Sequence, residues 1–125
     1  MKTHARRIGV HTSIAGGVHR SIERAHELNC TTLQIFSHNP RQWSTGTVHE
    51  DQVLCFKQLR SSYEIYPIFI HCSYLINLAA MNPDILEKSI MLLIQELDLA
   101  DMLGVEYVVL HTGSASQDTA DNARR

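Results

Sequence analysis

Short apolar runs rich in β-branched residues alternate along the chain with segments of helical periodicity, and this alternation limits the fold more than any other feature. Four runs predict β-strands: residues 7–11, 32–36, 66–71 and 106–111. Three intervening segments predict helices: residues 18–28, 51–63 and 83–103. Strands that are apolar on both faces and joined by helices pair in parallel, because a helical crossover returns the chain to the start of the next strand. The sequence therefore predicts an α/β fold with a parallel sheet.

Each predicted helix has an apolar stripe that we expect to face the sheet. The stripe of the first helix is Val18, Ile22, Ala25 and Leu28. The stripe of the second, which is weaker, is Val53, Leu54, Phe56 and Leu59. The third helix has the clearest ends, with Asn82 as N-cap, Pro83 in the first turn and Gly104 as the C-terminal stop. Its predicted stripe is Leu86, Ile90, Leu93, Leu97 and Ala100.

The number of βα units indicates which α/β fold this is. A (β/α)8 barrel takes about 250 residues, so four of its units take about 125, and the chain has 125 residues. We therefore predict a single, incomplete domain at residues 1–125, the N-terminal half of a TIM-type (β/α)8 barrel with about its first four strands and three helices. A doubly wound open sheet is the alternative, but no GxGxxG or Walker-type loop follows any predicted strand.

Composition excludes several classes of protein. The formal net charge is −2, so binding of nucleic acid has to come from local residues or bound cations. Cys30, Cys55 and Cys72 have no CxxC spacing, which indicates neither a zinc finger nor a disulfide framework and fits a reducing cytoplasm. No apolar run reaches the roughly 18 residues of a membrane span, and no signal-peptide apolar region follows the basic N-terminus. We expect a cytoplasmic protein without membrane contact.

Histidines follow the predicted strands at their C-terminal ends. Four lie there: His11, His38, His71 and His111. The others fall in the leader, helices or loops: His4, His19, His26 and His49. Because parallel strands present their C-terminal ends on one rim, and imidazole binds zinc, iron, copper or nickel, the pattern predicts a metal-binding rim. Hydrogen-bonded structural histidines are the alternative, and no predicted strand end supplies the carboxylate that a hydrolytic metal site usually adds.

Three shorter features each allow two interpretations. The segment "SIAGGV" before the first helix places backbone N–H groups against a phosphate, or forms only a tight turn. In the loop "HNPRQW", Arg41 and Trp43 suit a phosphate and a base, or are a surface arginine and a packed aromatic. Cys72 follows His71 on an extended chain and points the opposite way, so we expect a small buried residue and not a ligand.

Four segments resemble, in order, motifs of the endonuclease IV family of apurinic/apyrimidinic DNA-repair nucleases: "IGVHTSIAGG", "LQIFSHNPRQW", "HCSYLINLA" and "VVLHTGS". The third, residues 71–79, resembles the family's first signature, and together the segments cover nearly the whole chain. Members of that family form (β/α)8 barrels with three zinc ions at the strand C-termini and cleave the phosphodiester bond 5′ to an abasic site. The resemblance implies a zinc-dependent repair enzyme whose partner is double-stranded DNA with abasic sites and whose complete form is monomeric.

The resemblance also implies roles for single residues. His71 and His111 match the family's first two zinc-binding histidines. Tyr74 and Leu75 match side chains that members insert into the DNA minor groove at the lesion, and Arg41 matches one that reaches in from the second loop. "HTGS" stands where many members have "HPGS", a departure that leaves the ligand in place.

Two further points depart from the family pattern. His11 and His38 match no family ligand, which leaves them a role beside the metal or facing DNA. The family's remaining zinc ligands lie beyond the equivalent of Arg125, so these 125 residues alone are not expected to complete the cluster. Two alternatives therefore stay open. One is a metal-dependent barrel enzyme that acts on sugars, an isomerase or epimerase, and the other is a non-catalytic truncated chain that self-associates through open strand edges.

Overall fold

The computed structural model describes residues 6–115, so His4 and Arg125 lie outside the described residues. Helices and strands alternate strictly: α1 (Arg20–Glu27), β1 (Leu33–Phe36), α2 (Glu50–Ser62), β2 (Ile68–His71), α3 (Pro83–Leu103) and β3 (Tyr107–Val109). The predicted βα order is confirmed from the first helix to the last strand.

The three strands form one parallel sheet in the order β1-β2-β3. At its C-terminal edge Phe36 pairs with His71, and His71 pairs with Val109. This register aligns the ends of the strands, so the loops that follow them leave from one edge of the sheet, which we call the rim. The prediction of a parallel sheet with a shared rim is confirmed.

The first predicted strand is not formed as one. Among residues 7–11 only His11 makes a strand-type bridge, a parallel one to Gln34. The segment nevertheless runs beside β1, because Gln34 N–H donates to Val10 O at 3.2 Å and Thr12 N–H donates to Gln34 O at 3.0 Å. It pairs on one side only, and Ile8 is 69% exposed. The prediction of four strands is therefore wrong by one, and an extended edge segment takes the place of the first.

One face of the sheet carries the core. Four strand residues on this face are almost fully buried: Leu33, Ile35, Ile68 and Ile70. The side chains that cover them come from all three helices: Ile22, Ala25, Phe56, Leu99 and Leu103. The opposite face carries half-buried side chains: Gln34, Phe36, Phe69 and His71. In a closed barrel that second face is the interior.

Helix α3 has the predicted ends. Asn82 Oδ1 accepts from the N–H groups of Asp84 at 2.9 Å and Ile85 at 3.4 Å, which satisfies two donors of the first turn. Pro83 occupies the first turn, and Gly104, with φ of 69°, takes the left-handed conformation that ends the helix. Both predicted end signals of α3 are confirmed.

The buried faces of the helices differ from the predicted stripes. Leu28 after α1 and Leu54 on α2 are 63% and 57% exposed. On α3 six residues are buried: Ser89, Leu92, Glu96, Leu99, Ala100 and Leu103. Only Ala100 of the predicted stripe is among them, while Ile90 and Leu97 are nearly half exposed. Because α3 is apolar around most of its circumference, hydropathy fits several stripes, and the true one includes two hydrogen-bonded polar residues.

The cysteines form no disulfide within the described residues. Cys30, Cys55 and Cys72 are all free thiols, and only Cys72 is buried. No helix among residues 6–115 has both the length and the apolar character needed to cross a membrane.

Candidate functional site

Two of the strand-end histidines meet at the rim. His71 is the last residue of β2, and His111 follows β3 by two residues. Their Nε2 atoms lie 3.1 Å apart. His71 Nδ1 donates to the backbone oxygen of Cys72 at 2.8 Å, since a carbonyl oxygen can only accept. In the neutral ring the lone pair is then on Nε2, the atom that faces His111.

A side-chain amide holds the loop of His111 against the loop of His71. Asn77 Nδ2 donates to Ser114 O at 2.9 Å, and Asn77 Oδ1 accepts from Ser114 N–H at 3.1 Å. Between them Gly113 has φ of 104°, and a Cβ there would lie 2.1 Å from Asn77 Oδ1. Only glycine allows this approach and this conformation, so the two loops meet in one defined arrangement.

The histidine pair fits two ligands of a single metal ion. Tetrahedral zinc with Zn–N bonds of about 2.0–2.1 Å separates two ligand nitrogens by about 3.3 Å, close to the 3.1 Å between the Nε2 atoms. The hydrogen bond from His71 to a backbone oxygen is the support that metal-binding histidines usually have. Residues 6–115 contain no group of three or more His, Cys, Asp and Glu suited to a metal ion. The described part of the chain therefore offers two ligands.

His11 lies near this pair but does not join it. Gln34 Nε2 lies 3.0 Å from His11 Nδ1; the amide donates, which occupies that lone pair and leaves the hydrogen on Nε2. Phe36 packs against both His11 and His71, with ring centroids 4.5 Å and 5.8 Å apart. His11 is exposed as a whole, but partial burial of its ring, and secondly the nearness of His71, lowers its pKa. A structural role describes this histidine better than the predicted place in a metal-binding rim.

His38 is turned into the protein. It is 6% exposed. Its Nε2 donates to Gln42 O at 3.0 Å, and its Nδ1 lies 2.9 Å from Ser37 Oγ. Both ring nitrogens are thus engaged, so neither a metal nor DNA meets this side chain. The prediction of a rim of four metal-binding histidines is wrong for His38, because both of its ring nitrogens have hydrogen-bond partners within the protein. At His11 the Gln34 amide occupies Nδ1.

A carboxylate approaches the rim from α3. Glu96 is fully buried, and its two oxygens accept from Ser37 Oγ at 2.7 Å and from Ser73 N–H at 3.0 Å. Sequence reasoning missed this residue because a charged side chain in an apolar helix is normally placed in solvent. Its spacing was the available signal, since it continues a helical series of buried positions: Ser89, Leu92, Glu96, Leu99 and Leu103.

The three candidate DNA-contacting residues lie on two neighbouring loops of the rim. Arg41 is exposed on the loop after β1, Tyr74 is 60% exposed on the loop after β2, and Leu75 is half-buried beside it. The loops touch, because Ser73 Oγ donates to Pro40 O at 2.5 Å. The structure therefore places all three on one side of the rim, and their role in binding DNA stays a prediction.

The remaining rim residues have structural roles. Trp43 packs against a small cluster that includes Cys72 and Leu92, so it is a packed aromatic. Burial, reinforced by the nearby Glu96 carboxylate, raises the pKa of the Cys72 thiol to about 12. A thiol that resists ionisation is a poor metal ligand, which agrees with the expectation of a small buried residue.

The segment "SIAGGV" forms a tight turn. Gly17 N–H donates to Ile14 O at 3.0 Å, and Arg20 N–H donates to Gly17 O at 3.0 Å. Gly16 and Gly17 have φ of 88° and 127°, a region that side chains beyond glycine rarely enter. The tight turn at the start of α1 is therefore observed, and phosphate binding at this segment stays a prediction.

Comparisons with known proteins agree with this arrangement of parallel βα units. The sequence profile of the family described as "Xylose isomerase-like TIM barrel" matches residues 22–125. The chain belongs to the xylose isomerase-like TIM barrel family. The predicted fold class, a TIM-type barrel of which the chain forms a part, is thereby confirmed.

Two proteins that share 40% of their residues with this chain carry the name endonuclease. The "Probable endonuclease 4" of Haloarcula marismortui is 40% identical over 121 residues, which are 94% of this chain and 44% of that protein. The crystal structure of endonuclease IV from Thermus thermophilus matches with a TM-score of 0.85 and 40% identity, over 95% of this chain and 44% of that one. The predicted resemblance is confirmed, and the chain spans less than half the length of these relatives.

An epimerase structure is similar at much lower sequence identity. D-allulose 3-epimerase from Methylomonas sp., in complex with D-allulose, has a TM-score of 0.56 and 19% identity, over 95% of this chain and 44% of that one. A likeness at this level of identity shows the shared fold and carries no information on substrate. It gives no support to the sugar isomerase or epimerase alternative.

Proposed function

We propose that the full-length protein is a zinc-dependent DNA-repair endonuclease that cleaves the phosphodiester bond 5′ to abasic sites in duplex DNA. The observation that carries the proposal is the 3.1 Å pair of Nε2 atoms of His71 and His111, beside a loop with the exposed Tyr74. The 40% identity to proteins named endonuclease 4 supports it. In this proposal residues 1–125 are the N-terminal half of the barrel domain, and the protein acts as a monomer in the cytoplasm.

His71 and His111 would hold one zinc ion through their Nε2 atoms. Bound zinc lowers the pKa of water and stabilises negative charge on phosphoryl oxygens. The residues of this chain supply orientation, because the Cys72 carbonyl fixes the ring of His71 and the Asn77 amide fixes the loop of His111. Ligands that are already in place need little rearrangement when the metal binds.

Tyr74 and Leu75 would enter the minor groove at the lesion, and Arg41 would reach in from the neighbouring loop. An abasic site lacks a base, so opening the duplex there breaks less stacking and pairing than at an intact position. An aromatic and an aliphatic side chain fill the space, as the apolar wedges of other minor-groove proteins do, and a guanidinium pairs with phosphate. Selectivity for the lesion then follows from the lower cost of opening it.

The test is incision by the full-length natural protein with its zinc content measured. We expect a duplex with one abasic site to be cut 5′ to that site, and the same duplex without the lesion to stay intact. A strong chelator should abolish incision, and added zinc should restore it. The proposal is refuted by metal-free protein that incises equally well, or by folded, zinc-loaded protein that leaves the abasic duplex uncut.

A further inference from the structure

Glu96 has no part in the metal pair or the DNA-contacting loops, yet it is among the most deeply buried side chains of the protein. It lies on the sheet-facing side of α3 with 0% exposure, among apolar neighbours such as Leu92 and Leu99. Burying a carboxylate is costly unless hydrogen bonds compensate for the lost water. An aliphatic residue would fill the same space without that desolvation cost. Packing alone therefore does not explain a carboxylate at this position.

The partners of Glu96 come from the two rim loops. One oxygen accepts from the hydroxyl of Ser37, the first residue after β1, at 2.7 Å. The other accepts from the backbone N–H of Ser73, two residues after β2, at 3.0 Å. His38 Nδ1 lies 3.7 Å from the carboxylate. One side chain of α3 thus holds the start of both loops.

From these anchor points, hydrogen bonds continue outward to the tips of the loops. Ser73 Oγ donates to Pro40 O at 2.5 Å and accepts from Leu75 N–H at 3.1 Å. On the other loop, His38 Nε2 donates to Gln42 O at 3.0 Å, which closes the turn that contains Arg41. Glu96 and Ser73 therefore join both loops into one hydrogen-bonded body.

We propose that Glu96, acting through Ser37 and Ser73, is a positioning residue that sets the distance between Arg41 and the Tyr74-Leu75 pair. The inference rests on the proposed function, in which these residues enter the DNA together. A buried polar network with satisfied partners selects one geometry where apolar packing tolerates several. Glu96 touches neither DNA nor metal in this scheme, so its effect is on binding of the lesion and not on the metal site.

The test compares four variants of the full-length protein on a duplex with one abasic site, recording kcat, KM and zinc content. Ser73→Ala removes the link between the loops while leaving Glu96 in place. Glu96→Ala removes both anchors, and Glu96→Gln retains a carbonyl that can accept from Ser73 N–H. Ser21→Ala is the matched control, because Ser21 is also fully buried and its hydroxyl donates only to Val18 O in the α1 region.

We expect Ser73→Ala to raise KM by about tenfold, the effect of losing two hydrogen bonds, with kcat and zinc content unchanged. Glu96→Ala should raise KM further, Glu96→Gln should recover most of the loss, and Ser21→Ala should match wild type. The inference is overturned if Ser73→Ala leaves KM unchanged, or if it lowers kcat and zinc content together. The proposed function itself is overturned if folded, zinc-loaded wild-type protein does not incise the abasic duplex. That result is independent of the variants.

Discussion

The Nε2 atoms of His71 and His111 face each other across 3.1 Å at the rim of the parallel sheet. Two lone pairs at this distance repel unless one nitrogen is protonated or both share a cation. The two rings lie at or just after the ends of neighbouring strands and are 40 residues apart in sequence. The Cys72 carbonyl orients the ring of His71, and Asn77 holds the loop that carries His111. Such a pair of imidazole nitrogens is suited to one zinc ion.

Replacing either histidine should remove zinc from the full-length protein. Partners that merely orient a ligand contribute 10- to 100-fold to metal affinity, so we expect His71→Ala and His111→Ala to lower zinc affinity by at least about a hundredfold. Zinc titration with a competing chelator measures this. His49→Ala is the control, because His49 is exposed, immediately precedes α2 and is not one of the two paired histidines. Zinc affinity equal to wild type in both rim variants would contradict a shared metal.

The hydrogen bonds between Asn77 and Ser114 should be needed for the same metal site, although Asn77 is not a ligand. Asn77→Ala removes two hydrogen bonds to Ser114, and Gly113→Ala forces a Cβ toward the position of Asn77 Oδ1. Because each loosens the loop of His111, we expect both to weaken zinc binding by about tenfold. The same zinc titration measures it. Gln58→Ala, which removes an exposed amide on α2, should have no effect. Wild-type zinc affinity in Asn77→Ala or Gly113→Ala would show that the conformation of the His111 loop does not depend on Asn77.

Much of the fold could be predicted from the sequence because its signals are local. The ends of α3 are set by Asn82 and Gly104, each of which acts within one helical turn. The βα alternation needs only apolar runs and helical spacing. The first strand was the exception in the sheet: its residues have the composition of a strand, but their bonding to β1 amounts to one isolated bridge, from His11 to Gln34.

The candidate site was less predictable because its contacts are distant in sequence. Glu96 accepts hydrogen bonds from Ser37 and Ser73, which are 59 and 23 positions away in sequence. No local sequence pattern predicts such contacts. The strand-end rule selects four histidines, and it cannot separate His71 from His11, whose ring is occupied by Gln34. The resemblance to known motifs distinguishes the two histidines, because it implies a metal ligand at position 71 and none at position 11.

Removing the side chains of Tyr74 and Leu75 should weaken cleavage of DNA and leave zinc binding unchanged. We expect Tyr74→Ala with Leu75→Ala to lower kcat/KM on an abasic duplex by about a hundredfold, a cost of a few kcal/mol for the lost wedge. Hydrolysis of a small phosphodiester, bis(4-nitrophenyl) phosphate, should be unchanged. Leu28→Ala with Leu54→Ala is the control, since both leucines are exposed outside the rim. Equal loss on both substrates would mean that the loop supports the metal site and does not contact DNA.

The 125-residue chain by itself should self-associate. Within the described residues, β3 pairs with a neighbouring strand on one side only. The extended segment at residues 7–11 likewise pairs on one side only. Val10 and Tyr107, near these two edges, are 49% and 56% exposed. Open edges with apolar side chains recruit further strands, so sedimentation at micromolar concentration should show oligomers. Val10→Lys with Tyr107→Lys should reduce them. A cooperative thermal transition from a monomer would contradict the expectation.

The ion pair between Arg60 and Glu106, far from the rim, should make the unfolding free energy of the full-length protein depend on pH in the acidic range. Glu106 accepts from Ile68 N–H at 2.7 Å and from the Arg60 guanidinium. Burial alone raises the pKa of Glu106, but the hydrogen bonds from Ile68, from Arg60 and from its own backbone N–H, together with the charge of Arg60, outweigh burial and lower the pKa.

A lowered folded-state pKa gives stability that is present above the unfolded value of 4.5 and is lost as pH falls through the folded value. Since the side chain of Glu106 is 37% exposed, we expect Glu106→Gln to cost only about 1 kcal/mol of unfolding free energy at pH 7. Urea unfolding at several pH values measures the difference, which should shrink below pH 4.5 as wild-type Glu106 becomes protonated. Glu27→Gln, at an exposed carboxylate of α1, should match wild type throughout. A difference between Glu106→Gln and wild type that stays constant down to strong acid would mean that the charge of Glu106 contributes nothing.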